Sequence, residues 1–96
     1  MKLSTLVRNA RRDRGLNLRD LAAGVGVSAS FLSRIESGEH VRIRGRTLER
    51  LAQALRLPQD DVYRSARRLP PDVERFVLDN LPRVRRTMAR LRPEAA

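Results

Sequence analysis

Apolar residues recur at intervals of three and four along most of the 96-residue chain, which is the spacing of helices that bury one face. Signals for strands are weak, because the sequence has few β-branched runs and no Asn-Gly hairpin turn. The pattern therefore predicts an all-α protein whose first part contains five helices. The positions expected to face the core of that part are Leu3, Leu6, Val7, Ala10, Leu18, Leu21, Ala22, Val25, Phe31, Leu32, Ile35, Leu48, Leu51, Ala52, Leu55, Val62, Tyr63, Ala66 and Leu69.

Turn and cap residues divide this pattern into separate helices. Helix 1 is expected to end at Gly15, since glycine readily takes a left-handed conformation. Asn17 is a good N-cap for helix 2, and Gly26 suits the turn that follows it. Ser28 then caps helix 3, and Gly38 fits the position just after its end. The result is a pair of short helices joined by a glycine turn.

A basic segment without helical spacing follows helix 3 and reads EHVRIRGR over residues 39–46. Its arginines Arg42, Arg44 and Arg46 alternate with Val41, Ile43 and Gly45. No other segment offers itself as a partner strand, so we expect an extended basic loop. The remaining boundaries predicted for the first part are residues 47–55 for helix 4 and Pro58 or Gln59 for the start of helix 5.

A Pro-Pro pair marks the boundary between a domain over residues 1–69 and a C-terminal helical extension over residues 70–96. The extension is predicted to form a short helix over residues 72–80, a second helix that restarts near Pro82, and a frayed tail from Arg92. Three roles stay open for it: an arm that dimerises with a second copy, a surface for another protein, or a cap on the domain's own core. The apolar positions with coiled-coil spacing or nearby are Phe76, Val77, Leu81, Val84, Met88 and Leu91.

The charge balance is strongly basic, with 21 Lys and Arg against 11 Asp and Glu and a formal net charge of +10. Such a field indicates a polyanionic partner, either nucleic acid or anionic lipid, although a basic surface can also serve solubility alone. Lipid-surface binding requires an amphipathic helix with bulky aromatic anchors, and aromatic residues make up only 3% of this chain. Nucleic acid is therefore the favoured partner, and no membrane partner is expected.

Several function classes find no support in the residues. Cysteine is absent, which excludes disulfides and thiolate metal sites, and we expect no metal or cofactor. No apolar run approaches transmembrane length and no secretory segment follows Met1, so a cytoplasmic location is expected. The only histidine, His40, lies in the basic loop, and Asp60 and Asp61 suit the first turn of helix 5. Because no base and nucleophile can be assigned, we do not expect an enzyme.

The stretch from Arg11 to Gly38 reads RRDRGLNLRDLAAGVGVSASFLSRIESG, and the apolar spacing of Leu48 to Leu55 follows it. These residues resemble the Xre type of DNA-binding domain, also called lambda-repressor-like or Cro-like, over about Leu3 to Ala66. The resemblance implies a five-helix helix-turn-helix domain with helix 3, about Ser28 to Ser37, in the major groove. It also implies transcriptional control by a dimer on a two-fold operator. An ordinary helical bundle with a chance glycine turn is the alternative.

Residues that match the family's motif take their expected roles from the resemblance. Arg11 and Glu36 match the ion pair that joins helix 1 to the end of helix 3. Leu18 departs from the family's usual Gln, which grips a phosphate, so Asn17, Arg19 or the amides at the start of helix 2 must hold that phosphate. The positions that match the DNA-facing side of helix 3 are Ser28, Ala29, Ser30, Ser33 and Arg34.

The outward side of helix 3 carries few side chains that can read bases. It lacks the Gln and Asn residues that pair with adenine, which leaves Arg34 as a reader of guanine O6 and N7. Ser30 and Ser33 offer single hydrogen bonds, and Ala29 offers contact with a thymine methyl group. A solvated or Glu-paired Arg34 is the alternative. The loop cations expected on phosphates or in a narrow minor groove are Arg42, Arg44 and Arg46.

The sequence thus predicts a sequence-specific regulator that binds double-stranded DNA, in the first place a repressor acting as a homodimer. The alternative is an antitoxin-type protein, or one controlled by an antirepressor, whose C-terminal segment binds a partner protein. Both predictions place DNA on helix 3 and differ in what residues 70–96 bind.

Overall fold

The computed structural model describes residues 1–92, and within them the chain forms α-helices and no strand, which confirms the all-α prediction. The predicted tail beyond Arg92 lies outside the described residues. In chain order the helices are α1 (Leu3–Asp13), α2 (Leu18–Val25), α3 (Ala29–Glu36), α4 (Gly45–Leu55), α5 (Gln59–Ser65), α6 (Pro71–Asp79) and α7 (Leu81–Leu91).

The core of the N-terminal domain consists of two clusters that meet on the inner face of α4. Helices α1 to α4 build the first cluster, and α4 and α5 build the second. Aliphatic side chains buried this completely each contribute about 1.5–3 kcal/mol to folding by leaving water. The first cluster contains Val7, Leu21, Ala22, Val25, Leu32, Leu51 and Leu55, and the second contains Leu48, Ala52, Val62 and Tyr63.

Two predictions about this domain are wrong in detail. Helix α4 begins at Gly45 rather than near Thr47, because Arg44 already has the extended backbone of an N-cap, with φ −75° and ψ 150°. Arg46 therefore lies in the first turn of α4 and not in the loop. Leu69, predicted to pack in the core, is 51% exposed, since it lies in the segment that leaves the domain toward α6.

A polar contact at two helix ends fixes α1 against α4. The Nε of Arg14 donates to the carbonyl oxygen of Leu55 at 2.7 Å. That carbonyl belongs to the last turn of α4, where no following amide within the helix can reach it. An arginine in this position satisfies the carbonyl and also complements the negative end of the helix dipole.

Helices α6 and α7 pack against each other and meet at Asn80, which ends one helix and precedes the other. Neither of them contains a fully buried residue, and neither contributes to the two core clusters. The alternative in which they cap the domain's own core is therefore contradicted. Their apolar side chains face solvent instead, and the most exposed are Phe76, Leu78, Met88 and Leu91.

Candidate nucleic-acid interface

Helices α2 and α3 form the predicted pair around a glycine turn, and capping side chains fix where each begins. Asn17 Oδ1 accepts a hydrogen bond from the backbone N–H of Asp20 at 2.7 Å. Ser28 Oγ accepts one from the N–H of Phe31 at 3.0 Å. Gly26 between them has φ +84°, a left-handed conformation that other residues adopt only with strain. The sequence-predicted caps and turn are thus confirmed.

The end of α3 is equally well defined. The N–H of Gly38 donates to the carbonyl of Ile35, and the N–H of Glu39 donates to the carbonyl of Arg34, both at 3.1 Å. This is the double hydrogen bond of a Schellman motif, and it needs a left-handed residue, which Gly38 supplies with φ +83°. The chain therefore leaves α3 in a fixed direction and enters the loop before α4.

The predicted pair of Arg11 and Glu36 is present and is nearly buried. Arg11 Nε lies 2.7 Å from Glu36 Oε2, and Arg11 Nη2 lies 3.0 Å from Glu36 Oε1. The third guanidinium nitrogen, Nη1, donates to the carbonyl of Leu16 at 2.7 Å. The hydrogen bond with Glu36 raises the pKa of Arg11 above its ordinary value, so the guanidinium stays charged. The pair ties α1 to the last residue of α3 and sets the orientation of that helix.

The outward side of α3 is exposed along its whole length and carries small side chains around one arginine. Arg34 Nε lies 3.4 Å from Glu39 Oε2, with both side chains more than half exposed. The Glu-paired alternative for Arg34 therefore describes the free protein, but an exposed pair of this kind is worth only about 0–1 kcal/mol. DNA can displace it at little cost. The exposed residues on this side are Ser28, Ala29, Ser30, Ser33 and Arg34.

The start of α2 lies beside the first turn of α3. Asn17, Leu18, Arg19 and Ala29 line one shallow depression in the surface. Asn17 and Arg19 are exposed, whereas Leu18 is half-buried against the first core cluster. The structure thus brings the two predicted phosphate-holding residues next to the predicted reading helix.

The segment between α3 and α4, residues 39–44, has no helical or strand structure and ends in the extended backbone of Arg44, and we refer to it as the arginine loop. Exposure alternates along it as the sequence pattern predicts: Arg42 and Arg44 face solvent, while Val41 and Ile43 are half-buried. Arg46 is also exposed, although it lies in α4. The three predicted cations are therefore all exposed to solvent, where a polyanion can reach them.

Two arginines outside the motif contact the edges of this region. Arg50 of α4 donates to the carbonyl of Val25 at the glycine turn, with 3.5 Å between the atoms. Arg68, just after α5, donates to the carbonyl of Ile43 in the arginine loop. In the sequence their only signal is a positive charge, which they share with the rest of the 21 Lys and Arg residues. Sequence reasoning therefore could not single them out.

No helix within residues 1–92 has both the length and the apolar character needed to span a bilayer.

Comparison with known proteins supports the geometry. A family model described as a helix-turn-helix domain matches residues 2–64. The HTH-type transcriptional repressor RghR of Bacillus subtilis (strain 168) is 37% identical over 60 residues, which are 62% of this chain and 44% of RghR. The chain thus matches less than half the length of that curated relative.

Among solved structures, the SinR protein/SinI protein complex contains a chain of similar fold, with a TM-score of 0.60 and 24% sequence identity. The likeness covers 82% of this chain and 78% of the matched chain. Residues 1–69 make up a smaller part of the chain than this, so the likeness extends beyond them. At this identity the likeness shows the fold alone. Because the family model matches well over half of the sequence, the chain belongs to the family of helix-turn-helix domains.

Proposed function

We propose that the protein is a regulator of transcription, a repressor, that binds double-stranded DNA with α3 in the major groove and carries out no catalytic step. The observation that carries the proposal is the fixed α2–turn–α3 unit, whose outer helix exposes a complete side to solvent. The family and the relative named a transcriptional repressor support the same function.

The outward side of α3 suits close approach to base edges. Ala29, Ser30 and Ser33 are short, so the helix backbone can lie deep in the groove. Arg34 is then the one long side chain, and a guanidinium that points at guanine can bond both O6 and N7. We infer a recognition site in which one guanine contact is combined with shape and with the permissive hydrogen bonds of serine.

Phosphate contacts complete the proposed complex. The exposed Asn17 and Arg19 flank the N-terminus of α2, where free backbone amides favour an anion. Arg42, Arg44 and Arg46 provide three further cations. A subunit that contacts about four phosphates gives a slope near −3.6 when the logarithm of the binding constant is plotted against that of the salt concentration.

We further propose that α6 and α7 form a dimerisation arm, so that two copies of α3 meet a two-fold operator. Phe76, Val84 and Met88, together with Arg83 and Thr87, line an open apolar depression of about 310 Å³ between the two helices. Apolar side chains left in water in this way are stabilised when a second copy covers them. The other residues predicted for this arm are Val77, half-buried, and Leu81 and Leu91, both exposed.

A second candidate is a regulator whose C-terminal helices bind a different protein, as in the antitoxin-type or antirepressor-controlled alternative. The observation that favours it is the structural neighbour, which was solved as a complex of the SinR protein with the SinI protein. In this case the same apolar depression would receive a helix of the partner. The homodimer remains the first proposal because it explains how one small domain reads a site long enough to be specific.

Selection of bound duplexes from a random pool tests the proposed function. We expect enrichment of one short sequence that contains a guanine and appears twice as an inverted repeat. The spacing of the two copies should place them on one side of the duplex, about one helical turn apart. A pool that shows no enriched sequence after repeated rounds, despite retention of DNA, would overturn sequence-specific regulation.

A further inference from the structure

The arginine loop has little backbone support of its own. Within residues 1–92, no backbone hydrogen bond joins residues 40–43 to another part of the chain. A segment of this kind is expected to be mobile unless side chains hold it. Half-buried and exposed residues nevertheless alternate regularly from Val41 to Arg44, so other contacts must hold the loop.

Those contacts come from α5 and the residues just after it. Arg68 donates to the carbonyl of Ile43, which lies between Arg42 and Arg44. The hydroxyl of Tyr63 lies 3.3 Å from the carbonyl oxygen of Gly45, the first residue of α4. Two backbone carbonyls at the junction between the loop and α4 thus accept hydrogen bonds from side chains more than 15 residues further along the chain.

Tyr63 is a rigid anchor, because it is only 1% exposed and belongs to the second core cluster. Its hydroxyl also lies 3.3 Å from Glu49 Oε1, so a single phenolic proton serves two acceptors. Burial, together with the nearby Glu49 carboxylate, raises the pKa of Tyr63 above its ordinary value. The group is therefore a protonated donor at neutral pH.

The side chain of Ile43 adds a third contact, since it packs against the second core cluster. The Ile43 side chain is turned inward and its carbonyl is held by Arg68, while the residues on either side of it are exposed. These residues are Arg42 and Arg44. The contacts of one half-buried residue therefore decide where two exposed cations lie.

We propose that Tyr63 and Arg68 are positioning residues, which hold the arginine loop so that Arg42 and Arg44 meet the DNA backbone. This inference rests on the proposed function and adds a determinant outside the helix-turn-helix unit. Arg68 lies beyond residue 64, where the match to the family model ends. It also lines a surface depression with Leu69, Glu74 and Val77, and so connects the loop to the start of α6.

A double-mutant cycle with a duplex of random sequence tests the coupling, because phosphate contacts do not depend on sequence. Arg42→Ala is measured in the unchanged protein and in the Arg68→Ala background. In that background we expect the factor by which Arg42→Ala raises the Kd to be at least about threefold smaller than in the unchanged protein. This is the behaviour of residues that share one network. Tyr63→Phe, which removes only the hydroxyl, should shrink this factor in the same direction.

Arg67→Ala is the matched control, since it removes the same charge at the neighbouring exposed position. The loss from Arg42→Ala should be unchanged in this background. Equal losses in the Arg68→Ala, Tyr63→Phe and Arg67→Ala backgrounds would overturn the positioning role. If the unchanged protein did not bind duplex DNA at all, the proposed function would fail instead, so the two failures are distinguishable.

A measurement without DNA checks the same claim. Nitrogen-15 relaxation of the free protein reports the order of each backbone amide on the picosecond to nanosecond timescale. For Arg68→Ala we expect the order parameters of residues 41–44 to fall below about 0.6, the range of flexible backbone, while Arg67→Ala leaves them unchanged. Order parameters of residues 41–44 that stay high in Arg68→Ala would contradict the proposal.

Discussion

The ion pair between Arg11 and Glu36 shows how a single contact orients the proposed reading helix. The two residues are 25 positions apart, and the residue Glu36 is only 7% exposed. A carboxylate in such surroundings is tolerated because two guanidinium nitrogens of Arg11 donate to it, while the third donates to the carbonyl of Leu16. Loss of the guanidinium would leave a buried charge without a partner, which is among the most costly single changes in a protein.

Arg11→Met is therefore predicted to lower the free energy of unfolding by about 3 kcal/mol, measured by denaturant titration. The double variant Arg11→Met/Glu36→Leu should recover most of this loss, since apolar side chains can fill the site without a stranded charge. A double variant as unstable as the single one would show that packing, and not the unpaired carboxylate, causes the loss.

The sequence also predicted most of this network at the scale of residues. The Arg11–Glu36 pair, which the resemblance to the Xre type implied, is present. The caps Asn17 and Ser28 were also correct, because each belongs to a short local capping pattern. The contact of Arg34 with Glu39 was only one of two alternatives. Two exposed side chains at the end of a helix can meet or stay apart at nearly equal free energy, so no local pattern decides between them.

At the scale of elements, two glycines near the end of α2 have different roles. The helix does not need Gly24, whereas the turn that follows the helix requires Gly26. Gly24 is helical and exposed, and a Cβ added to it would meet no atom within 4 Å. Gly26 has φ +84°, and a Cβ there would lie 2.8 Å from Arg50 Nη1. The same chemical change should therefore have opposite effects at two positions that are two residues apart.

Gly24→Ala is predicted to raise the free energy of unfolding by about 0.5–1 kcal/mol, because alanine restricts the unfolded chain and favours helix. Gly26→Ala should lower it, since a left-handed alanine is strained. Thermal unfolding of both variants beside the unchanged protein provides the measurement. A Gly24→Ala variant less stable than the unchanged protein would mean that α2 needs its flexibility at that position.

The start of α4 shows where sequence reasoning about elements fails. Helix ends with a strong capping residue, such as Gly38 after α3, were predicted correctly. Arg44 offers no side-chain cap, so nothing in the local sequence marks Gly45 as the first helical residue. The hydrogen bonds from Tyr63 and Arg68 hold this junction, and they depend on the packing of α5, which a local pattern does not contain.

At the scale of the whole molecule, the chain consists of a packed domain and a helical pair with no core of its own. The sequence predicted the helices of that pair from their apolar spacing, but the spacing does not say which surface covers them. The structure removes one possibility, since α6 and α7 do not pack into the domain's clusters. A second copy is the covering surface that we propose.

Deletion of residues 71–96 is predicted to convert a dimer to a monomer, as measured by light scattering after size exclusion. Phe76→Arg in the full chain should have the same effect, because a charge would enter the apolar contact. Arg75→Ala serves as a control, since this neighbouring residue is exposed and lies outside the predicted apolar side. If the deletion left the oligomeric state unchanged, the dimerisation arm would be ruled out.

The central claim is that α3 reads bases while the arginine loop holds the backbone, and one comparison tests it directly. Affinities of the unchanged protein, Arg34→Ala and Arg42→Ala are measured on the selected duplex and on a random duplex at the same salt concentration. For Arg34→Ala we predict that discrimination between the duplexes falls by about 1–3 kcal/mol. Arg42→Ala should weaken both complexes alike. Equal losses on both duplexes for Arg34→Ala would contradict the account.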